Sequence, residues 1–375
     1  MSKLYSRRAL VQQSKKFIIG FSIAQIIFDV VRKQSTLAQN QAHDLSMENI
    51  FANLNQQIPL WLRQFKISGI SLAIIHSKKL IWHSSFGAKN YNNKQPIDDN
   101  TVFAAASLSK PLFAYAVMKM VERGQLNLDS PLTEYTAKPY IKDERLKLIT
   151  ARQVLSHTTG FPNWSGNKPV WIENTPGTKF GYSGEGYLYL QKVIEKITNQ
   201  PFHKYIEEQL LIPLGMNNSS YIWQPAYQNL AADGHDRNLH SSPMKRPTEG
   251  LSAGSLRTTA REYAQFIIAM MESGTVESPL LTESSITEML RSQVQLNYYL
   301  DWGLGWALEY SDNHKYFWHW GDGTVYKTFA IASRELGTGL VILTNSQNGL
   351  KICPAIVSQV MSGDRHALDL DMIEY

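Results

Sequence analysis

The sequence predicts an α+β fold: an antiparallel sheet flanked by helices and built from both chain ends, with a mostly helical subdomain inserted between them. Three observations carry this. β-rich runs lie at Ile67 to His76 and Leu80 to Phe86, and again between Trp302 and Thr344, joined by links too short for a parallel crossover. The stretch between them has apolar residues at helical spacing, interrupted by Pro-, Gly- and Asn-rich loops. At 375 residues, 43% hydrophobic and 18% charged, the chain can bury one large core or two subdomains.

Residues 1–40 read as a signal peptide or N-terminal anchor ending in a polar joint. The apolar run from Phe17 to Phe28 is 12 residues long, short of the roughly 20 a spanning helix needs and within the range of a signal core. Export is therefore expected, to a periplasmic or extracellular location, with membrane attachment through this segment as the alternative. Thr36-Leu37-Ala38 supplies small residues for cleavage, although Arg32 and Lys33 stand between core and cut. Ser6-Arg7-Arg8 has the look of a twin-arginine signal, but Lys15 and Lys16 separate it from the apolar run. The formal net charge is +5, and residues 1–40 alone carry +6, leaving the body at −1. A nearly neutral body offers no basic surface to a nucleic acid.

The remaining 41–375 form one domain, with 45–105 and about 295–375 as its α/β part and about 106–294 as its mostly helical part. Asp44 or Ser46 can cap a helix running to about Phe65. A hairpin follows, with Ser77-Lys78-Lys79 as the connection. A helix runs from Pro111 to Val121 without a breaker. Further helical runs lie near Ala151 to Ser156, Tyr187 to Thr198, Phe202 to Leu211, Ala260 to Ser273 and Ser284 to Arg291. The closing strands are Trp302 to Tyr310, Tyr316 to Trp320, Val325 to Ser333 and Gly339 to Thr344. Cys353 is the only cysteine, which excludes an internal disulfide and a thiolate metal cluster; its apolar neighbours predict an inert buried thiol.

Chemistry concentrates where Ala104-Ala105-Ala106 runs into Ser107, with Lys110 one turn on. Proline is tolerated in the first turn of a helix, so Pro111 places the helix start beside both residues. A serine there meets free N–H groups and the positive end of the helix dipole, and the lysine can activate it. Ser-x-x-Lys recurs at Ser165/Lys168 and Ser242/Lys245, but in loops that hold nothing at a fixed distance. Gly250-Leu251-Ser252-Ala253-Gly254 matches a nucleophile elbow, yet no strand precedes it. Tyr182, in a Pro- and Gly-rich loop leading into a helix, is a candidate proton carrier for the Ser107/Lys110 pair. His319-Trp320-Gly321 ends a predicted strand, where the glycine admits a close ligand and the following N–H can face an oxyanion. Ser311-Asp312-Asn313 lies at the far end of that strand, roughly 20 Å away along extended chain, and Lys327-Thr328 is followed by Phe329 rather than glycine.

Taken in order, Ser107-x-x-Lys110, Tyr182-x-Gly184 and His319-x-Gly321 resemble the motifs of the penicillin-recognising serine hydrolases: class C β-lactamases, related esterases and D-alanyl-D-alanine peptidases. Leu155-Ser156-His157-Thr158-Thr159-Gly160, Pro176-Gly177-Thr178-Lys179-Phe180, Pro213-Leu214-Gly215-Met216 and Ala253-Gly254-Ser255-Leu256-Arg257-Thr258 are similar to stretches of that family too. The resemblance covers about Leu45 to the end. It implies a β-lactamase/transpeptidase-like fold, acylation of Ser107, proton movement by Lys110 and Tyr182, and a substrate strand formed by His319, Trp320 and Gly321. It also implies an oxyanion hole from the N–H groups of Ser107 and Asp322, and no metal or organic cofactor. Gly184 stands where the family has an asparagine, which puts β-lactam turnover in doubt and leaves ester cleavage untouched. The expectation is an exported acyl-serine hydrolase acting on a small-molecule or peptide ester or amide. The alternatives are a D-alanyl-D-alanine carboxypeptidase or D-amino-acid peptidase, and a binding protein that has lost turnover.

Overall fold

The computed structural model describes residues 47–361 and 363–369. The signal or anchor segment, its cleavage residues, the twin-arginine pair and the caps Asp44 and Ser46 lie outside the described residues. The chain forms two compact units, Met1–Gln56 and Gln57–Tyr375. In the first, residues 47–56 are helical; the second opens with helical residues 57–65, here α1.

The second unit is organised on a nine-stranded sheet. Its first strands are β1 (Gly69–His76), β2 (Lys79–Asn90) and β3 (Gln95–Pro96); the others are β8 (Val294–Gln295), β9 (Leu300–Trp302), β10 (Ala307–Ser311), β11 (His314–Asp322), β12 (Lys327–Ser333) and β13 (Thr338–Thr344). The spatial order is β3-β2-β1-β13-β12-β11-β10-β9-β8, and every neighbouring pair is antiparallel. The two chain ends meet in the middle, with Ile70 opposite Thr344 and Ile75 opposite Gly339. β1, β12 and β13 are buried almost throughout, which is why they read as continuous apolar runs rather than alternating ones. The fold is thus the α+β arrangement the sequence predicts.

Two hairpin turns adopt the left-handed geometry that matches strand twist without using glycine. Ser77 and Lys78 have φ of 49° and 60°, and Asp312 and Asn313 have 50° and 62°. The first connection is therefore two residues long, and Lys79 already belongs to β2. Trp302 to Tyr310 is not one strand as expected. Gly303 to Trp306 turns back on itself through Gly303 N–H donating to the Trp306 carbonyl at 2.8 Å, separating β9 from β10. Gly305 has φ +82°, and a Cβ there would run into Ala114. An apolar run buried on all sides hides such a turn, and only its two glycines betray it.

The helices are α2 (Ser109–Glu122), α3 (Ala151–Leu155), α4 (Gly184–Thr198), α5 (Phe202–Ile206), α6 (Tyr227–Leu230), α7 (Ala260–Met271), α8 (Glu283–Met289) and α9 (Cys353–Val360). α2 is buried from Ser109 to Met120, the signature of a central helix. α7 packs on β1, β2 and β13, and α9 on β13. The helix at α9 was not expected; Pro354 in its first turn was the readable sign. Cys353 at its start is buried, and burial raises its thiol pKa, as befits an inert side chain. Two small ladders complete the framework: β4 (Phe103–Ala104) with β7 (Arg257–Thr258), and β5 (Gly234–His235) with β6 (Ser241–Ser242). Among the described residues no helix is long and apolar enough to cross a membrane.

Candidate active site

The β4/β7 ladder delivers the chain to the head of α2. Ala106, with φ +49°, turns it sharply, and Ala106–Leu108 form a single 3-10 turn before α2 begins. A non-glycine residue in this region carries strain of order 1 kcal/mol or more, so the surroundings must hold it. They do: the Ala105 N–H donates to the Leu256 carbonyl at 2.8 Å, the Ser109 hydroxyl donates to the Ala106 carbonyl at 2.5 Å, and the Tyr221 and Tyr263 hydroxyls donate to the Ser109 and Leu108 carbonyls at 2.7 and 3.0 Å. Ser107 itself stays partly exposed at the head of the turn.

Lys110 is completely buried. Its Nζ lies 3.1 Å from Ser107 Oγ and donates to the Ala253 carbonyl at 2.7 Å. Among the described residues no carboxylate compensates its charge, and burial lowers its pKa to about 7. Its ammonium also sits over the Tyr182 ring, 4.8 Å from the centroid. Ser252, the elbow-like serine, is fully buried and donates its hydroxyl to the Tyr187 carbonyl at 3.0 Å. It is a tie that places Ala253, not a nucleophile. Sequence reasoning missed the carbonyl of Ala253, because nothing in residue type marks a backbone acceptor.

Tyr182 precedes α4, whose N-cap is Ser183, its hydroxyl accepting the Gly186 N–H at 3.0 Å. The Tyr182 hydroxyl is buried without a hydrogen bond of normal geometry. Burial pushes its pKa up, opposed by the neighbouring Ser107 hydroxyl, so at neutral pH it is a phenol. His157 holds this segment from behind. Its Nδ1 accepts the Ser183 N–H at 3.0 Å, and its ring packs 4.2 Å from that of Tyr182. His157 thus positions the Tyr182 segment, a role its place in the Leu155–Gly160 stretch does not mark.

β11 brings the third group. His319 is buried, its Nδ1–H donating to the Trp320 carbonyl at 2.6 Å and its Nε2 unpartnered. Burial, then the charge of Lys110, lowers its pKa to about 3, so it is neutral. Trp320 stacks on Tyr182 with centroids 5.8 Å apart and planes 23° apart. Gly321 is required by space, since a Cβ there would run into the Thr328 hydroxyl and the Ala105 carbonyl. Thr328 in turn donates to that carbonyl at 2.9 Å, tying the strand to the segment before Ser107.

The ladder fixes the direction of the Asp322 amide. Gly323 N–H donates to the Tyr326 carbonyl at 2.9 Å, so Gly321 opposite Thr328 is again a hydrogen-bonded pair and Asp322 opposite Lys327 is not. The Asp322 N–H therefore points away from β12, on the edge of β11 that β10 leaves open beyond Trp318. The Asp322 carboxylate pairs with Lys327 at 2.5 Å. Ser107, Lys110, Tyr182 and His319 to Asp322 are thus brought together. Ser311 to Asn313 lie in the β10–β11 turn, at the far end of β11 from Asp322, as expected. Among the described residues no group of three or more His, Cys, Asp or Glu side chains could hold a metal ion.

Gly184 begins α4, and the space in front of it is filled. The ring of Trp164 lies where a side chain at 184 would project.

Residues 47–352 match the family model for Beta-lactamase. A penicillin-binding protein of Bacillus subtilis (strain 168) is 25% identical over 321 residues, 74% of this chain and 68% of that protein. A Beta-lactamase of Pseudomonas fluorescens is 25% identical over 266 residues, 66% of this chain and 71% of that protein. Among solved structures, a Beta-Lactamase/D-Alanine Carboxypeptidase from Pseudomonas syringae superposes with a TM-score of 0.74 at 18% identity, covering 84% of this chain and 98% of the other. That likeness shows a shared fold.

Proposed function

We propose, because this chain belongs to the Beta-lactamase family, that it is a serine hydrolase passing its substrate's acyl group through Ser107. The observation that carries the reading is Ser107 Oγ at 3.1 Å from the amine of Lys110, whose pKa burial lowers to about 7. Near neutral pH a large share of Lys110 is uncharged amine. Its lone pair takes the Ser107 proton as Oγ bonds to the substrate's carbonyl carbon, and the C=O electron pair moves onto oxygen. The N–H groups of Ser107 and Asp322 receive that oxyanion; donors of this kind are worth about 10²- to 10³-fold in rate. Collapse restores the carbonyl and expels an alcohol or amine, which takes the proton from the Lys110 ammonium, directly or through the Tyr182 hydroxyl. Water then attacks the acyl-serine by the same route, giving a carboxylic acid and free Ser107.

His319 to Gly321 supply the strand edge along which the substrate lies. Gly184 offers no amide to a substrate amide, which favours esters over β-lactams; a missing hydrogen bond costs about 0.5–1.5 kcal/mol. Export through the N-terminal segment belongs to the same reading, supported by its basic start and 12-residue apolar run. The test is hydrolysis of p-nitrophenyl butyrate by purified protein: Ser107→Ala abolishes it and Ser252→Ala retains it. The reverse pattern would sink the assignment. A panel with nitrocefin and D-Ala-D-Ala peptides on the same preparation separates esterase, β-lactamase and peptidase.

A further inference from the structure

Three things meet at Gly184. A Cβ there would lie 2.7, 2.8 and 2.9 Å from Cη2, Cζ2 and Cζ3 of Trp164, so the indole occupies the space of any side chain at this position. The loop that carries the indole is fastened on both sides of it. Before it, the Ser183 hydroxyl donates to the Pro162 carbonyl at 2.8 Å and the Gly184 N–H donates to the Asn163 carbonyl at 2.9 Å. After it, the Ser165 N–H and hydroxyl donate to one Glu185 carboxylate oxygen at 2.8 and 2.7 Å. Yet Trp164 remains 51% exposed. A large apolar ring, held in place and left half open to solvent beside a reactive serine's partners, is a surface prepared for a ligand.

Building on the acyl-serine reading above, we infer that Trp164 is a specificity-determining residue of this site and that its substrates are esters with a flat, apolar acyl group. Trp164 borders the Tyr182 to Gly184 segment from the loop, while Trp320 covers the Tyr182 ring from β11. An acyl group attached to Ser107 beside Tyr182 meets aromatic surface there and no side-chain donor or acceptor at 184. The side-chain amide nearest this wall, that of Asn163, already accepts the Gly184 N–H through Oδ1 at 3.1 Å, whereas a flat aryl group exchanges water for ring contact.

The experiment compares p-nitrophenyl acetate with p-nitrophenyl phenylacetate, which share a leaving group and differ only in the acyl part. Each preparation is normalised by fluorophosphonate labelling. Wild type prefers the phenylacetyl ester. Trp164→Ala lowers kcat/KM for that ester about 10- to 100-fold, mainly through KM, and changes the acetate less than about 3-fold. Trp164→Phe retains most of the preference, as a ring-contact role requires. Equal loss on both esters, or no preference in a wild type that labels at Ser107, overturns the assignment. A wild type that takes no label at Ser107 overturns the underlying acyl-serine reading instead.

Discussion

α2 carries a lysine near each end, and both are buried: Lys110 at 0% and Lys119 at 1% exposure. Lys119 donates to the Glu122 carboxylate at 2.8 Å and to the carbonyls of Val276, Ser278 and Leu280 at 3.0–3.2 Å. Burial alone would raise the pKa of Glu122, but hydrogen bonds from Lys119, Ser285 and Thr282 outweigh it and hold the carboxyl below its ordinary value. Lys110 has a hydroxyl, one carbonyl and no carboxylate. One residue type at one depth on one helix becomes an ion-pair anchor or, on the reading proposed above, a poised base, according to whether a carboxylate lies within reach. Depth sets the penalty for charge; the neighbour decides which protonation state bears it.

The comparison breaks first on rate. Lys110→Met should lower kcat for p-nitrophenyl butyrate by at least 10³-fold, since on the proposed reading Ser107 loses its proton acceptor, and raise stability by about 4 kcal/mol at pH 7 as the cost of holding a buried, poorly compensated lysine is removed. Chemical denaturation checks the second half. Wild-type Lys110 binds its proton far more tightly unfolded, near pH 10.5, than folded, near 7. The stability gap between variant and wild type is therefore largest below pH 7 and closes as pH rises to 10.5. A gap that widens with pH contradicts the assignment. Lys119→Met should act oppositely, costing about 3–5 kcal/mol by stranding the Glu122 carboxylate, with turnover per fluorophosphonate-labelled site unchanged. The mildest perturbation is pH itself: kcat/KM for a neutral ester should rise about tenfold per unit up to roughly 7 and then level off, as Lys110 loses its proton. A profile flat from pH 5 to 8 would remove Lys110 from the role of base.

Much of this site was readable along the chain because it depends on short-range rules. Pro111 locates the start of α2, three-residue spacing puts Lys110 on the face of Ser107, and a terminal glycine in β11 admits close approach. What escaped was long-range and unmarked by residue type. The Ala253 carbonyl reaches Lys110 across 143 positions, and a carbonyl has no signature. His157 supports Tyr182 through a backbone N–H, and Trp164 covers Gly184 from an irregular loop without periodicity. The strand expected from Trp302 to Tyr310 shows the same boundary: uniform burial conceals a turn that packing against α2 demands.

Because β1 lies between β2 and β13, the sheet is closed by the chain's last strand rather than its first. Such long-separation pairing is slow to form and delays cooperative folding of the sheet until β13 has been made. Ser107 and Lys110 are made early, but the strand edge from His319 to Asp322 arrives only with β11. A ribosome-bound or truncated chain ending before β11 would hold Ser107 and Lys110 without an oxyanion donor from Asp322 and without the tie from Thr328 to Ala105. On the reading proposed above, the topology makes acyl transfer depend on β11 to β13 having paired.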